Sequence, residues 1–339
     1  AQSNKFYEML WDGGPTFTVN YGRVEATSTT ISYPYSQWKK KYNEKLRKGY
    51  KDVTEFVIVT EEKTGVKKYE KISENTVHEF MELMRRYRDN LVSITYSVKV
   101  ESVSQVQIDA AQDILNELSR LSGLKETSQI KDAISVGLLH LYGIIPRKMN
   151  NVKDHLPPNI DLNKVLIQEQ DNLDAMASQV SQAKPKTDKK DKLQTILDEL
   201  GLIMTECKTN KEIDYLINQI GSSRTKVKAI FRVDKKSENE TFDEWMSKQT
   251  NKQTRILIHG TRSSSVIPIL DIGLKIHPSG NFQFSGKAYG DGNYYSETVS
   301  KSLNYTGWQT DKVLLVYEVH TGNPFVYDGW FKGNSFTLN

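Results

Sequence analysis

Cysteine is nearly missing from this chain of 339 residues, where Cys207 stands alone. One thiol excludes a disulfide-stapled secreted scaffold and fits a reducing compartment. The six histidines, at positions 78, 140, 155, 259, 277 and 320, are scattered without cysteine partners, so no zinc pattern forms and no metal is expected. No apolar run approaches membrane-spanning length, and no signal-peptide pattern opens the chain. The expected location is therefore nuclear if the source is eukaryotic, otherwise cytoplasmic, and not secreted, with no membrane partner. The formal charge is only +4, so any contact with a polyanion must be local rather than global. Internal repeats and low-complexity tracts are absent. So is a G-x-G-x-x-G after a strand, which excludes a Rossmann-type dinucleotide site.

What is present supports two or three domains, because an ordinary 37% hydrophobic fraction permits real cores. The helical middle is the plainest. Ser104 with Gln107 makes a capping box, and Ile108, Ala111, Leu115 and Leu118 follow at helical spacing. Similar stripes run through Ile130, Ile134, Leu138 and Leu141, through Leu162, Val165, Leu166, Leu173 and Met176, and through Leu193, Ile196, Leu197, Leu200, Ile203 and Met204. An all-helical bundle is the economical reading. Cys207 falls on the last stripe. Glu55 to Val59 reads as an edge strand, Lys63-Thr64-Gly65 as a hairpin turn, and residues 183–192 as a polar charged connector.

The last third carries chemistry. Arg255 to His259 is a short apolar run stopping at Gly260, the pattern of a buried strand that delivers His259 to a loop edge. Ser263 to Leu274 reads as a short amphipathic helix ended by Gly273. A glycine-rich loop follows up to Gly292, and loops of that length in compact domains are more often functional than idle. Asn293 to Ser296 and Val313 to Val319 read as strands, with a short helix at Ser300 to Tyr305 between them. On residue types alone Tyr294, Tyr295 and Tyr305 also fit ordinary half-buried aromatics.

Two segments, Ile258-His259-Gly260-Thr261-Arg262 and Tyr289-Gly290-Asp291-Gly292-Asn293-Tyr294-Tyr295-Ser296 leading into Val299 to Tyr305, resemble the NAD-binding core of a poly(ADP-ribose) polymerase in order and spacing. The resemblance implies that NAD is the substrate. It places the nicotinamide carboxamide on the Gly260 main chain and the Ser302 hydroxyl, with Tyr305 and Tyr294 at the ring. It further implies that His259 bonds the adenosine-side ribose, that Thr261 and Arg262 make other dinucleotide contacts, and that Lys301 supports the catalytic acid. Lys275 stands where the family often has arginine, which weakens a phosphate or adenine contact. Asp171 aligns loosely with a family acid near the adenosine end.

Asn4 to Met9, Phe17 to Val24 and Gly49 to Thr54 resemble a WGR domain, with Tyr21 in place of the tryptophan. Residues 1–54 hold nine Lys/Arg against five Asp/Glu. The helix over Ser36 to Lys48 sets Trp38, Tyr42 and Leu46 on one face and Lys39, Lys40 and Lys41 among others on the opposite one, which by itself is also the pattern of a solvated face. The resemblance implies DNA strand breaks as partner, Tyr21 stacking at the break, basic residues on phosphates, and Arg23 linking DNA to the next domain. The middle segment, from Val106-Gln107-Ile108 through Tyr142-Gly143-Ile144-Ile145-Pro146, resembles the helical regulatory domain of DNA-dependent members.

The expected architecture is thus multidomain α+β: a WGR-like sheet-plus-helix domain over 1–72, an all-α regulatory bundle over 73–183, and a mixed α/β ADP-ribosyltransferase domain over 184–339. That last domain reads as incomplete, because the family's final strand with its catalytic glutamate is expected beyond Asn339, and neither Glu297 nor Glu318 matches that position. The expected activity is DNA-break-dependent transfer of ADP-ribose from NAD to protein side chains, the chain itself included, or to a growing polymer. Three alternatives stand beside it: mono-ADP-ribosylation, transfer to a nucleic-acid end, and a non-catalytic DNA-end sensor.

Overall fold

The computed structural model describes residues 5–23, 27–50, 52, 69–125, 127–182, 194–219, 227–275 and 292–324. The chain divides into two compact units, one built from residues up to 65 together with 92–183, the other chiefly from 66–91, 184–276 and 285–339. The edge strand at 55–59, the turn at 63–65, the connector at 183–192 and nearly all of the glycine-rich loop lie outside the described residues.

In the first unit, β1 (Lys5–Leu10), β2 (Thr16–Arg23) and β3 (Thr29–Pro34) form an antiparallel sheet in that order. Strand alternation sends Phe17 and Val19 inward, where both are buried. A 3-10 turn at Tyr35–Gln37 leads into α1 (Trp38–Arg47). The Trp38, Tyr42, Leu46 stripe is not what docks this helix, for Leu46 remains 41% exposed. Trp38 meets Phe17 edge-on at 5.0 Å, while Lys41 and Lys45 lay their ammonium groups over Tyr33 at 4.4 Å and Tyr7 at 3.9 Å. Positions 38, 41 and 45 share a face at 3.6 residues per turn, and lysine stems cover tyrosine rings well.

Helix α2 (Asn75–Thr95) enters this unit with its last residues, followed by α3 (Gln105–Ser122), α4 (Ser128–Ile144) and α5 (Leu162–Gln182). The capping box at Ser104 and Gln107 forms as read, and Gln107 also donates to the Ile144 carbonyl at 2.9 Å. Leu115, Leu118, Leu138, Leu141, Leu173 and Met176 close the core between these helices. One charged pair is buried with them: Arg147 meets Glu169 at 2.8 Å and lies over the Tyr96 ring at 4.0 Å.

The second unit is mixed α/β. Most of α2 belongs here, burying Val77, Met81 and Met84 against Ile196, Leu197, Leu200, Val266 and Ile267. Its remaining elements are α6 (Ile196–Leu200), β4 (Leu202–Glu206), α7 (Asn210–Gln219), β5 (Phe231–Lys235), α8 (Lys236–Ser247), β6 (Thr254–Thr261), α9 (Val266–Ile272), α10 (Val299–Leu303) and β7 (Val313–His320). Strands β4 with β5 and β6 with β7 pair antiparallel. The stripe read as one helix from Leu193 to Met204 is divided: Gly201, at φ 65°, caps α6, and Ile203 and Met204 lie on β4. Cys207 is likewise past a strand, with its amide donating to the Ile230 carbonyl at 2.8 Å. Gly273 ends α9 at positive φ, as the sequence indicates. Lys235 then caps the α9 carbonyls of Leu270 and Asp271, a cation at the negative end of the helix. Among the described residues no helix is long and apolar enough to cross a membrane, and no three His, Cys, Asp or Glu gather at a possible metal position.

Candidate active site

Strand β6 does not stop short of Gly260. It continues through Thr261 because Gly260 and Thr261 remain opposite Leu314 and Val313 of β7. His259 and Gly260 are therefore held in a ladder rather than at a loop edge. Ile258 exchanges both main-chain hydrogen bonds with Ser296, at 2.8 and 2.9 Å, on the side away from β7. Main-chain groups alternate along an antiparallel strand. The N–H and C=O of Gly260 are consequently turned to that same edge. Ser296 contributes this isolated bridge alone, so the strand expected over Asn293 to Ser296 is a single point of pairing.

Helix α10 packs directly on this glycine. A Cβ at position 260 would lie 1.9 Å from the main-chain oxygen of Ser302, a separation only glycine permits. The Ser302 hydroxyl, itself buried, donates to the Ile258 carbonyl at 3.1 Å. Its proton is thereby committed to Ile258, which leaves the oxygen as an acceptor. Tyr305, one turn on, is 47% exposed and free of a ring partner among the described residues. Gly260 and Ser302 are thus in direct contact, and the Tyr305 amide donates to the Ser302 carbonyl at 3.1 Å.

His259 points to the opposite face of β6. Its Nδ1 lies 3.0 Å from the Tyr294 carbonyl, an acceptor, so Nδ1 carries the proton and Nε2 presents a lone pair. Burial holds the His259 imidazole below its ordinary pKa, and the bond to Tyr294 only partly opposes this. The ring is fixed by Tyr295, edge-on at 6.1 Å, which in turn meets Tyr317 at 5.9 Å. Tyr317 sits opposite Leu257 in the ladder, one step from His259 on the same face. Sequence reading missed both contacts, since register decides which β7 side chain meets Tyr295. Tyr294, read as a ring neighbour of nicotinamide, contributes its main chain to His259.

The remaining expected residues differ in exposure. Thr261 is buried, Arg262 is half-buried, and Lys275 and Lys301 are exposed. Glu297 pairs with Arg255 at 2.7 Å and Glu318 accepts from Thr254 at 2.8 Å. Asp171 lies on α5, in the first unit.

The stretch between Tyr305 and β7 is tightly tied. Gly307 takes φ 72°, and Lys312 donates to the Thr306 hydroxyl at 3.2 Å and the Gly307 carbonyl at 3.0 Å. Ser263 bonds the Gln309 side chain through its amide at 3.3 Å and the Asp311 carbonyl through its hydroxyl at 2.7 Å. The Asp311 carboxylate accepts from Lys228 at 2.7 Å and from the Tyr87 hydroxyl of α2 at 3.2 Å. The Lys228 hydrogen bond is the main cause that lowers the Asp311 pKa. Asp311 therefore joins α2 to the turn that follows Gly260, another link the sequence did not signal.

In the first unit Tyr21 lies on β2 opposite Tyr7, their ring centroids 6.0 Å apart, and is half-buried. Arg23, Lys39 and Lys40 are exposed, whereas Lys41 is engaged over Tyr33.

Comparison with known proteins bears on this geometry. Residues 209–328 match the family model of the poly(ADP-ribose) polymerase catalytic domain, a span that contains β6, α10 and β7. A putative poly(ADP-ribose) polymerase-like protein, 100L of Invertebrate iridescent virus 6, is 54% identical over 131 residues, 39% of this chain and 71% of that protein. The uncharacterized protein 101L of the same virus is 46% identical over 179 residues, 52% of this chain and 73% of its own length. Poly(ADP-ribose) polymerase 1 of Gallus gallus is 29% identical over 240 residues, 66% of this chain but only 23% of that larger protein.

Proposed function

The chain belongs to the poly(ADP-ribose) polymerase family, and from its standing as an ADP-ribosyltransferase that uses NAD we propose that DNA strand breaks, met by the N-terminal module, switch on transfer of ADP-ribose to protein acceptors, itself included. The observation that carries the catalytic part is the close packing of Ser302 on Gly260, which leaves one main-chain donor, one main-chain acceptor and one hydroxyl along a single strand edge. A carboxamide needs that set. On this reading Gly260 takes both ends of the carboxamide, Ser302 adds a third bond, and Tyr305 stacks on the nicotinamide ring.

The His259 Nε2 lone pair accepts from a ribose hydroxyl, with Thr261, Arg262 and Lys275 along the rest of the dinucleotide. Lys301 supports the acid that steadies the nicotinamide-side ribose. The glycosidic bond breaks with its electron pair leaving on nicotinamide. Positive charge develops on the ribose carbon until an acceptor oxygen attacks it. Control by DNA draws support from α2, whose hydroxyl at Tyr87 reaches Asp311 beside the site. A helix so placed can pass a restraint to the strap between Tyr305 and β7.

The test is nicotinamide release from NAD, with no DNA, intact duplex or nicked duplex, by the protein carrying the family's glutamate strand, with the products identified. Release stimulated by nicks, with label on protein, supports the proposal. Release indifferent to DNA overturns break dependence, and label on oligonucleotide ends instead of protein overturns the acceptor. DNA binding with no release at all would favour the end-sensor alternative.

A further inference from the structure

The N-terminal module carries an aromatic surface that the break-sensing reading does not use. Trp11 and Tyr35 stack with ring centroids 4.1 Å apart and planes at 24°, yet remain 47% and 41% exposed. The pair is fixed, not loose. The Trp11 indole N–H donates to the Gly14 carbonyl at 2.7 Å, the Gly14 amide donates to Asp12 at 3.0 Å, and the Tyr35 amide donates to the Pro15 carbonyl at 2.9 Å. Behind it the aromatic contacts continue from Tyr35 to Trp38 at 6.1 Å and from Trp38 to the buried Phe17 at 5.0 Å, so the outer rings rest on the core of the sheet. An exposed, pre-ordered aromatic pair offers a flat face at small entropic cost.

The charge beside it identifies the occupant. Tyr35 opens the turn into α1, and the first turn of that helix holds no acid but presents Lys39 and Lys40, both exposed. Cations at a helix N-terminus oppose the helix dipole, so they do not serve the helix itself. They add instead to the positive field already at its start. Residues 1–54 as a whole carry nine Lys/Arg against five Asp/Glu. Stacking rings next to lysines are the chemistry that holds an unpaired base and its phosphate.

We propose that Trp11 and Tyr35 form a stacking platform for a single-stranded nucleic acid, separate from the break contact at Tyr21. The site lies at the Thr16 end of β2, where Thr16 pairs with Pro34, whereas Tyr21 is near the other end. Five residues of strand separate Thr16 from Tyr21, roughly 17 Å at about 3.3 Å each. A strand touching both positions needs about five nucleotides at ~3.4 Å apiece. The proposal shares nucleic-acid binding and the nearby lysines with the function proposed above but stands on different aromatic residues, and the test keeps the two apart.

The experiment measures binding of the full chain to a blunt nicked duplex, to the same duplex with a two- or an eight-nucleotide single-stranded overhang, and to free eight-nucleotide oligo(dT) and oligo(U). The eight-nucleotide overhang is expected to tighten binding about tenfold over the blunt form, the gain of one stacked base, and the two-nucleotide overhang to add little. Trp11→Ala with Tyr35→Ala should erase that gain and binding of the free oligonucleotide while leaving the blunt nicked duplex unchanged. Trp11→Phe should keep most of the gain, which guards against a folding artefact. Oligo(dT) against oligo(U) tells which strand chemistry is preferred. No gain from the long overhang, or a gain that survives the double substitution, overturns the platform. Loss of all nicked-duplex binding with oligonucleotide binding intact would instead sink break recognition and leave the platform standing.

Discussion

Gly260 is the residue whose role follows most directly from coordinates. A methyl group there meets main chain rather than a yielding side chain, so Gly260→Ala must push α10 away, at a cost of about 1–3 kcal/mol or more. A lowered melting temperature together with loss of nicotinamide binding is expected. Tyr305, by contrast, is exposed before any ligand arrives. Tyr305→Ala should leave stability nearly unchanged yet weaken nicotinamide binding by about 1–3 kcal/mol, with Tyr305→Phe retaining most of it; equilibrium dialysis would show both. His259 predicts a pH effect. Because burial lowers its folded pKa, the unfolded chain binds the proton more readily. The stability its neutral form contributes is complete above the unfolded value of about 6.5 and is lost as pH falls below that toward the folded value. Melting temperature should therefore drop more steeply between pH 7 and pH 5.5 in the wild type than in His259→Gln, and equal slopes would contradict the assignment.

Among the elements, the helices with continuous stripes were legible in the sequence: α3, α4 and α5 follow their apolar spacing, and the Ser104 capping box forms. The stripe ending at Met204 misled because helical and strand periods both fit a short apolar run, and only the positive φ of Gly201 separates α6 from β4. At α1 only Trp38 of the apolar stripe packs on the sheet, and the packing of Lys41 and Lys45 over tyrosine rings leaves no hydrophobic pattern to read. A buried pair also escaped notice. Glu169→Gln would leave the buried Arg147 charge without a carboxylate, and destabilisation of about 3–5 kcal/mol is expected by urea unfolding, while Glu117→Gln at the exposed Arg120 pair should have no measurable effect. Helix α2 matters for testing regulation. Its residues Val77, Met81 and Met84 belong to the core of the second unit, so a deletion meant to release NAD access should begin at residue 92. On the proposed coupling, Tyr87→Phe should raise DNA-independent nicotinamide release with little loss of stability; lowered stability and unchanged DNA dependence would make the bond to Asp311 structural alone.

For the molecule as a whole, the candidate site was legible as far as its linear motifs reach. His259-Gly260 and Ser302-Tyr305 are brought together as their spacing implied, because each motif sits within one short element and the ladder of β6 with β7 fixes the rest. The contacts of Tyr317, Asp311 and Tyr87 were not legible, since each depends on register or on residues more than fifty positions apart in the chain. The central claim is that the edge beside Gly260 holds nicotinamide. Titration calorimetry of nicotinamide into the wild-type chain and into Ser302→Ala and Tyr305→Ala tests it most directly. The account predicts saturable binding at one site per chain, weakened by each substitution while both variants remain folded. Saturable binding that neither substitution alters would contradict it.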